Sequence, residues 1–86
     1  MPGPRRTGAR RLNEPRPVAV RAAADGTPQA VGPAAVEAVR EEWLVEDRWW
    51  TPRPLRRHYF ELALADGRAL TVFRDAGDGR WFRQRA

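Results

Sequence analysis

The sequence predicts a small all-β domain: a small curled antiparallel sheet or barrel of five to seven short strands, with a disordered basic N-terminal tail. Three observations carry that expectation. Turn-forming residues recur at short spacing between apolar segments, at Ala24-Asp25-Gly26, Gly32-Pro33, Ala65-Asp66-Gly67 and Asp75 to Gly79. Apolar residues in the intervening segments alternate with polar ones, which is the period of a strand with one buried face. With 86 residues the chain holds one domain at most. A chain of this size buries only about 60% of its unfolded surface, so each large aromatic weighs heavily.

Met1 to Asn13 has two prolines, two glycines and one aliphatic residue, Leu12. That is too little to bury, so residues 1–13 read as a flexible tail and residues 14–86 as the domain. Arg16 to Ala23 alternates, with Val18 and Val20 on one face. Pro28 to Val31 returns as a short strand whose proline suits a sheet edge. Residues 34–45, AAVEAVREEWLV, fit two periods. Val36, Val39, Trp43 and Leu44 have helical spacing, whereas Val39, Glu41, Trp43 and Val45 fit a strand with one wet face. Both readings stand on periodicity; the β surroundings favour the strand.

The C-terminal half predicts a hairpin, HYFELALA-DG-RALTVFRD. A two-residue turn would pair Phe60 with Phe73. A three-residue Ala65-Asp66-Gly67 turn, with Gly67 left-handed, pairs Leu62 with Leu70 and Phe60 with Val72. The second register gathers Phe60, Leu62, Leu64, Leu70 and Val72 on one face, and a one-residue slip would scatter them, so it is preferred. If Arg74 then pairs with Arg80 across the next turn, Val72 faces Phe82 on the core side. Phe73 and Trp81 share the other face. The expected core is Phe60, Leu62, Leu64, Leu70, Val72, Phe82 and Trp43. Aromatics on both faces imply a curled sheet or a cover over the second face.

Composition narrows the functions. There is no cysteine, which removes disulfides, thiolate nucleophiles and sulfur-ligated metals. A single His cannot make a His-based metal cluster, and the absence of serine excludes a Gly-x-Ser-x-Gly nucleophile. No apolar run approaches the roughly 20 residues of a membrane span, and the arginine-bearing start lacks the apolar core of a secretory signal. A cytoplasmic protein needing no cofactor and no membrane is the expectation. Glu41, Glu42, Glu46 and Asp47 offer carboxylates for a cation, and His58 beside Tyr59 offers a base. A solvated acidic face and a surface histidine are the simpler readings, so an enzyme is not expected.

All sixteen basic residues are arginine, and the net charge is +5. A small basic domain fits an acidic partner or nucleic acid. The charge is uneven, however. Arg5, Arg6, Arg10 and Arg11 stand in the tail without an acid, while residues 37–47 hold Glu37, Glu41, Glu42, Glu46 and Asp47 against Arg40 alone. That acidic stretch repels phosphate and argues against binding over the whole surface. Candidate contacts are Arg53, Arg56 and Arg57 with the tail arginines for phosphates, and Tyr59, Trp50 or Trp49 for stacking on a base or meeting a partner. Trp49 and Trp50 point to opposite faces if extended. A compact bend after them gives Trp50 the parity of Phe60 and a place on the core, leaving Trp49 on the second face; a different bend swaps the two.

The series VEDRWW (45–50), RRHYFELALADGRALTVFRD (56–75) and GRWF (79–82) resembles the C-terminal domain of ImuB-type proteins, catalytically inactive relatives of Y-family DNA polymerases. It is similar also to small stand-alone bacterial proteins of unknown function consisting of this domain. The likeness spans about residues 15–86. It implies a non-catalytic protein-interaction module accessory to error-prone, translesion DNA synthesis in the DNA-damage response. The implied partners are components of a mutagenic DNA-synthesis assembly: an ImuB-like protein, a RecA-like protein or an error-prone polymerase. The chain lacks a polymerase palm or fingers, a Gln-led clamp-binding peptide and the family's terminal Tyr-Asp, so clamp binding and catalysis are not implied. The alternative is a single-stranded nucleic-acid-binding domain using the Arg-rich tail and the 53–59 loop, with weak DNA or RNA binding.

Overall fold

The computed structural model describes residues 14–47, 50–52 and 54–84. Among these there is no helix; seven strands form one antiparallel sheet. In chain order they are β1 (Arg16–Pro17), β2 (Val20–Ala22), β3 (Pro28–Val31), β4 (Ala34–Asp47), β5 (Leu55–Leu64), β6 (Ala69–Asp75) and β7 (Trp81–Gln84). The sheet order is β1-β7-β6-β5-β4-β3-β2. Its two outermost strands are therefore consecutive pieces of one segment. Val18 N donates to Trp81 O at 3.2 Å, and Gly32 N donates to Ala19 O at 2.8 Å, so that segment bridges the curled half-barrel from one margin to the other. The expected curled sheet is present. Two strands exceed the expected short length: β4 has 14 residues and β5 has 10. The expected tail, residues 1–13, lies outside the described residues, as do Arg48, Trp49, Arg53, Arg85 and Ala86.

Local chemistry sets the turns. Ala65-Asp66-Gly67 forms the three-residue loop: Gly67 N donates to Leu64 O at 3.0 Å, Leu64 N donates to Arg68 O at 2.8 Å, and Gly67 takes a φ of 93°. That left-handed conformation suits glycine because a Cβ there crowds the following carbonyl. The register follows as expected, Phe60 opposite Val72 and Leu62 opposite Leu70. Between β3 and β4 the loop is Gly32-Pro33, with Gly32 at a φ of 56°. Proline's negative φ rules out a type I′ turn, which leaves type II′. Pro28 was expected at an edge. Instead β3 lies inside the sheet order, but its ladder to β4 uses only Ala30 and Val31, so the missing N–H of Pro28 removes no bond there.

The ambiguous segment is strand throughout, and its helical spacing has a cause. Register shifts leave Glu37 and Arg40 without partners on β5, while Val36 faces Leu64, Val39 faces Leu62 and Glu42 faces Phe60. Each β-bulge adds one residue, so the inward positions recur every third residue rather than every second. Val36 and Val39 thereby pack on the core beside the buried Val31, Phe60, Leu62, Leu64, Leu70 and Val72.

Three core expectations fail. Phe73 pairs with Phe82 and Arg74 with Trp81, one residue away from the expected register. The Asp75–Gly79 loop has its own closure, with Gly79 N donating to Asp75 O at 2.8 Å and Asp75 N to Arg80 O at 2.9 Å. That shift turns Phe82 to the outer face and brings Trp81 inward, where its ring centre lies 5.7 Å from that of Phe60. Trp43 is also on the outer face and 38% exposed. Trp50, expected on the core, is 65% exposed. β6 ends at Asp75 opposite Arg57, and after the bond from Ala76 N to Arg56 O at 2.9 Å only the two-stranded β4–β5 ribbon continues among the described residues.

Candidate interaction surface

Two neighbouring features stand out on the outer side of the sheet. The first is a row of aromatics, one per strand, in direct register: Trp43 on β4, Tyr59 on β5, Phe73 on β6 and Phe82 on β7. Successive ring centres are 5.3, 4.9 and 5.3 Å apart, and the Trp43 and Tyr59 planes differ by only 6°. Such cross-strand pairs favour the sheet beyond their area burial. Phe73 is 1% exposed, and the described residues whose side chains meet its ring, Arg57, Tyr59 and Phe82, belong to its own sheet. Its lid is Arg57, whose guanidinium sits 4.4 Å from the Phe73 ring centre and donates from Nη1 to Tyr59 Oη at 3.2 Å. The Arg57 Nε is buried without an acceptor, which fits a guanidinium held by the ring face rather than by a carboxylate. Arg80 lies over Phe82 in the same way at 5.3 Å.

The second feature is the outer edge of β4. It pairs with β3 only at Ala34 and Ala35, and among the described residues no strand pairs with that edge further along. From Glu41 to Asp47 the ladder to β5 is regular, without a bulge, so the opposite edge presents a regular series of backbone donors and acceptors. This stretch reads EEWLVED. Trp43 and Leu44 are its exposed apolar residues, on opposite faces, Leu44 at 68%. Glu42 Oε2 lies 2.7 Å from His58 Nε2, and Glu46 Oε2 accepts from Arg56 Nε at 3.3 Å. Glu41 has no ion pair among the described residues.

Of the residues expected to bind, the structure brings Arg57 and Tyr59 together, and turns Arg56 to the other face, toward Glu46. Both arginines are committed within the protein, one to a carboxylate and one to a ring. Arg53, Trp49, Arg5, Arg6, Arg10 and Arg11 lie outside the described residues. His58 stacks on Phe60 with ring centres 4.3 Å apart, so the candidate base is held between Phe60 and Glu42. Among the described residues no group of three His, Asp or Glu side chains is disposed to hold a metal ion, and no helix is long and apolar enough to cross a membrane. Sequence reasoning missed the unpaired edge and the partnership of Trp43, Phe73 and Phe82. The parity of Tyr59 in the preferred hairpin register already puts Phe73 beside it. Phe82 needed the length of the Asp75–Gly79 loop.

Comparison of the chain with protein-family models, with curated proteins and with solved structures found no match.

Proposed function

We propose that this chain is a non-catalytic protein-interaction module accessory to error-prone DNA synthesis. The observation that supports binding to protein is the regular edge of β4 from Glu41 to Glu46, with which no strand pairs among the described residues, with Trp43 and Leu44 exposed beside it. A long strand with one free edge is a template for another chain, and folded proteins ordinarily cover or blunt such edges. The mutagenic setting is the contribution of the resemblance to ImuB-type C-terminal domains. The test is direct binding of the purified chain to the ImuB-like, RecA-like and error-prone polymerase proteins of the same cell, each added singly. Binding to at least one, weakened by Leu44→Glu, is expected. Binding to none of them removes this reading.

A second reading, a single-stranded nucleic-acid platform, draws on the aromatic row and Arg57. Rows of exposed aromatics stack on bases where a basic groove tracks the backbone. Here the buried Phe73 offers no free ring face, and the adjoining outer row is Glu41-Glu61-Thr71, which repels phosphate. A salt titration with single-stranded DNA separates the readings: a platform requires affinity that falls steeply with salt.

A further inference from the structure

We infer that the open face of the Trp43 indole, with Glu41 beside it, takes an arginine side chain of a partner protein. The inference rests on the interaction-module reading and names the group that the partner brings. Trp43 lies parallel to Tyr59, so that ring covers one face of its indole. The other face looks past the margin of β4, where among the described residues no strand pairs with this stretch, and the side chain is 38% exposed.

The outer row itself shows what such a face accepts. Phe73 carries the guanidinium of Arg57 at 4.4 Å, and Phe82 carries that of Arg80 at 5.3 Å. Neither arginine has an ion pair among the described residues, so a ring face is the main partner of each. Both faces of Tyr59 are taken by its neighbours in the row. Among the described residues no cation lies over Trp43, although an indole attracts one more strongly than a phenyl ring does.

A carboxylate stands beside that open face. Glu41 is two residues from Trp43 on the same side of the sheet and directly opposite Glu61, acid against acid. Neither has an ion pair among the described residues. Like charges so placed cost stability, and a guanidinium stacked on Trp43 with its N–H edge toward Glu41 offsets that cost. Arg40 adjoins Glu41 in the chain, but it sits at a bulge and pairs with neither carboxylate. Counting it, Glu41, Glu61 and Asp75 still outnumber Arg40 and Arg57, so the surroundings stay acidic. A nucleic-acid base would also stack on the indole, but its phosphates would meet Glu41 and Glu61.

The test follows the Trp43 indole and the Glu41 amide by NMR in the full chain. The probes are three capped peptides, Gly-Arg-Gly, Gly-Lys-Gly and Gly-citrulline-Gly. The arginine peptide is expected to shift both signals and to bind at least about fivefold more tightly than the citrulline peptide, which keeps the shape and loses the charge. The lysine peptide, a compact point charge, should bind about twofold more weakly or worse. Trp43→Leu should abolish the effect. Glu41→Gln, an exposed position, should weaken it several-fold without altering the thermal melt. Both variants should weaken a purified partner protein to a similar degree.

Equal binding of the citrulline or lysine peptide overturns the assignment of a guanidinium. So does arginine binding that both variants leave unchanged. A partner protein that binds both variants at full strength overturns this inference and leaves the module reading intact. Arginine binding of the expected pattern with no partner bound keeps the site and removes the module reading. If neither peptide nor partner binds, both fall. A nuclear Overhauser contact between the Trp43 indole and any arginine of the ligand-free chain shows the place already filled and overturns the partner's role. Shifts caused by oligothymidylate and not by the arginine peptide make nucleic acid the occupant instead.

Discussion

Phe73→Ala tests whether the outer face of this sheet is a second core. An aromatic side chain buries about 150–250 Å². At about 25 cal/mol per Å² that corresponds to roughly 4–6 kcal/mol as an upper bound. Measured Phe→Ala losses in cores run about 3–5 kcal/mol. Among the described residues Phe73 is covered by Arg57, Tyr59 and Phe82 of its own sheet, so the site can collapse around the deletion. The lower end, about 3 kcal/mol, is therefore expected. At roughly 0.05–0.15 kcal/mol per residue, a domain of 86 residues has about 4–13 kcal/mol in all, so the variant loses a large share of it. Phe73→Leu keeps much of the apolar volume and should cost about 1–1.5 kcal/mol. Arg57→Ala removes the lid and should cost about 1 kcal/mol, counting lost packing with the cation–π term. Urea unfolding followed by tryptophan fluorescence and by circular dichroism gives all three values. A Phe73→Ala loss below about 1 kcal/mol, the range of an ordinary surface change, would refute the assignment of a second core.

Trp50→Ala should change stability by less than about 1 kcal/mol in the same assay because its side chain is 65% exposed. Leu62→Ala, at a position with 0% exposure, should cost about 3–5 kcal/mol; equal losses for the two would contradict the placement of the core. Gly67→Ala forces a Cβ into a φ of 93° and should cost about 1–2 kcal/mol by thermal or urea melt even though no atom obstructs the added methyl. Asp25 and Asp66 each accept a main-chain N–H two residues on, from Thr27 at 2.9 Å and Arg68 at 3.0 Å. These bonds hold both carboxyls below the ordinary 3.8. A lowered folded-state value stabilises the fold above the unfolded-state pKa and is lost as pH falls through the folded-state one. NMR titration should place both midpoints below 3.8, and the Asp25→Asn, Asp66→Asn double variant should lose less stability on acidification in that range.

The turns were legible in the residues because each is decided within a few positions of chain. Ala65-Asp66-Gly67 needs a left-handed glycine and an aspartate that accepts a nearby N–H, and that local chemistry sets the Phe60–Val72 register across the whole hairpin. Five apolar residues of β5 and β6 then share a face by parity alone. The facing of Phe82 and Trp81 was not local: it turns on the closure of the Asp75–Gly79 loop, and one residue of register exchanges the two rings between faces. The Val36 and Val39 spacing was visible but ambiguous, since a twice-bulged strand and a helix both bring every third residue to one side. Trp43 and Trp50 are apolar residues whose burial depends on neighbours distant in the chain. Trp43 ends the Phe82-Phe73-Tyr59 row at the margin of β4, where among the described residues no further strand follows, and Trp50 lies past the end of β6, so tertiary structure leaves the first 38% and the second 65% exposed.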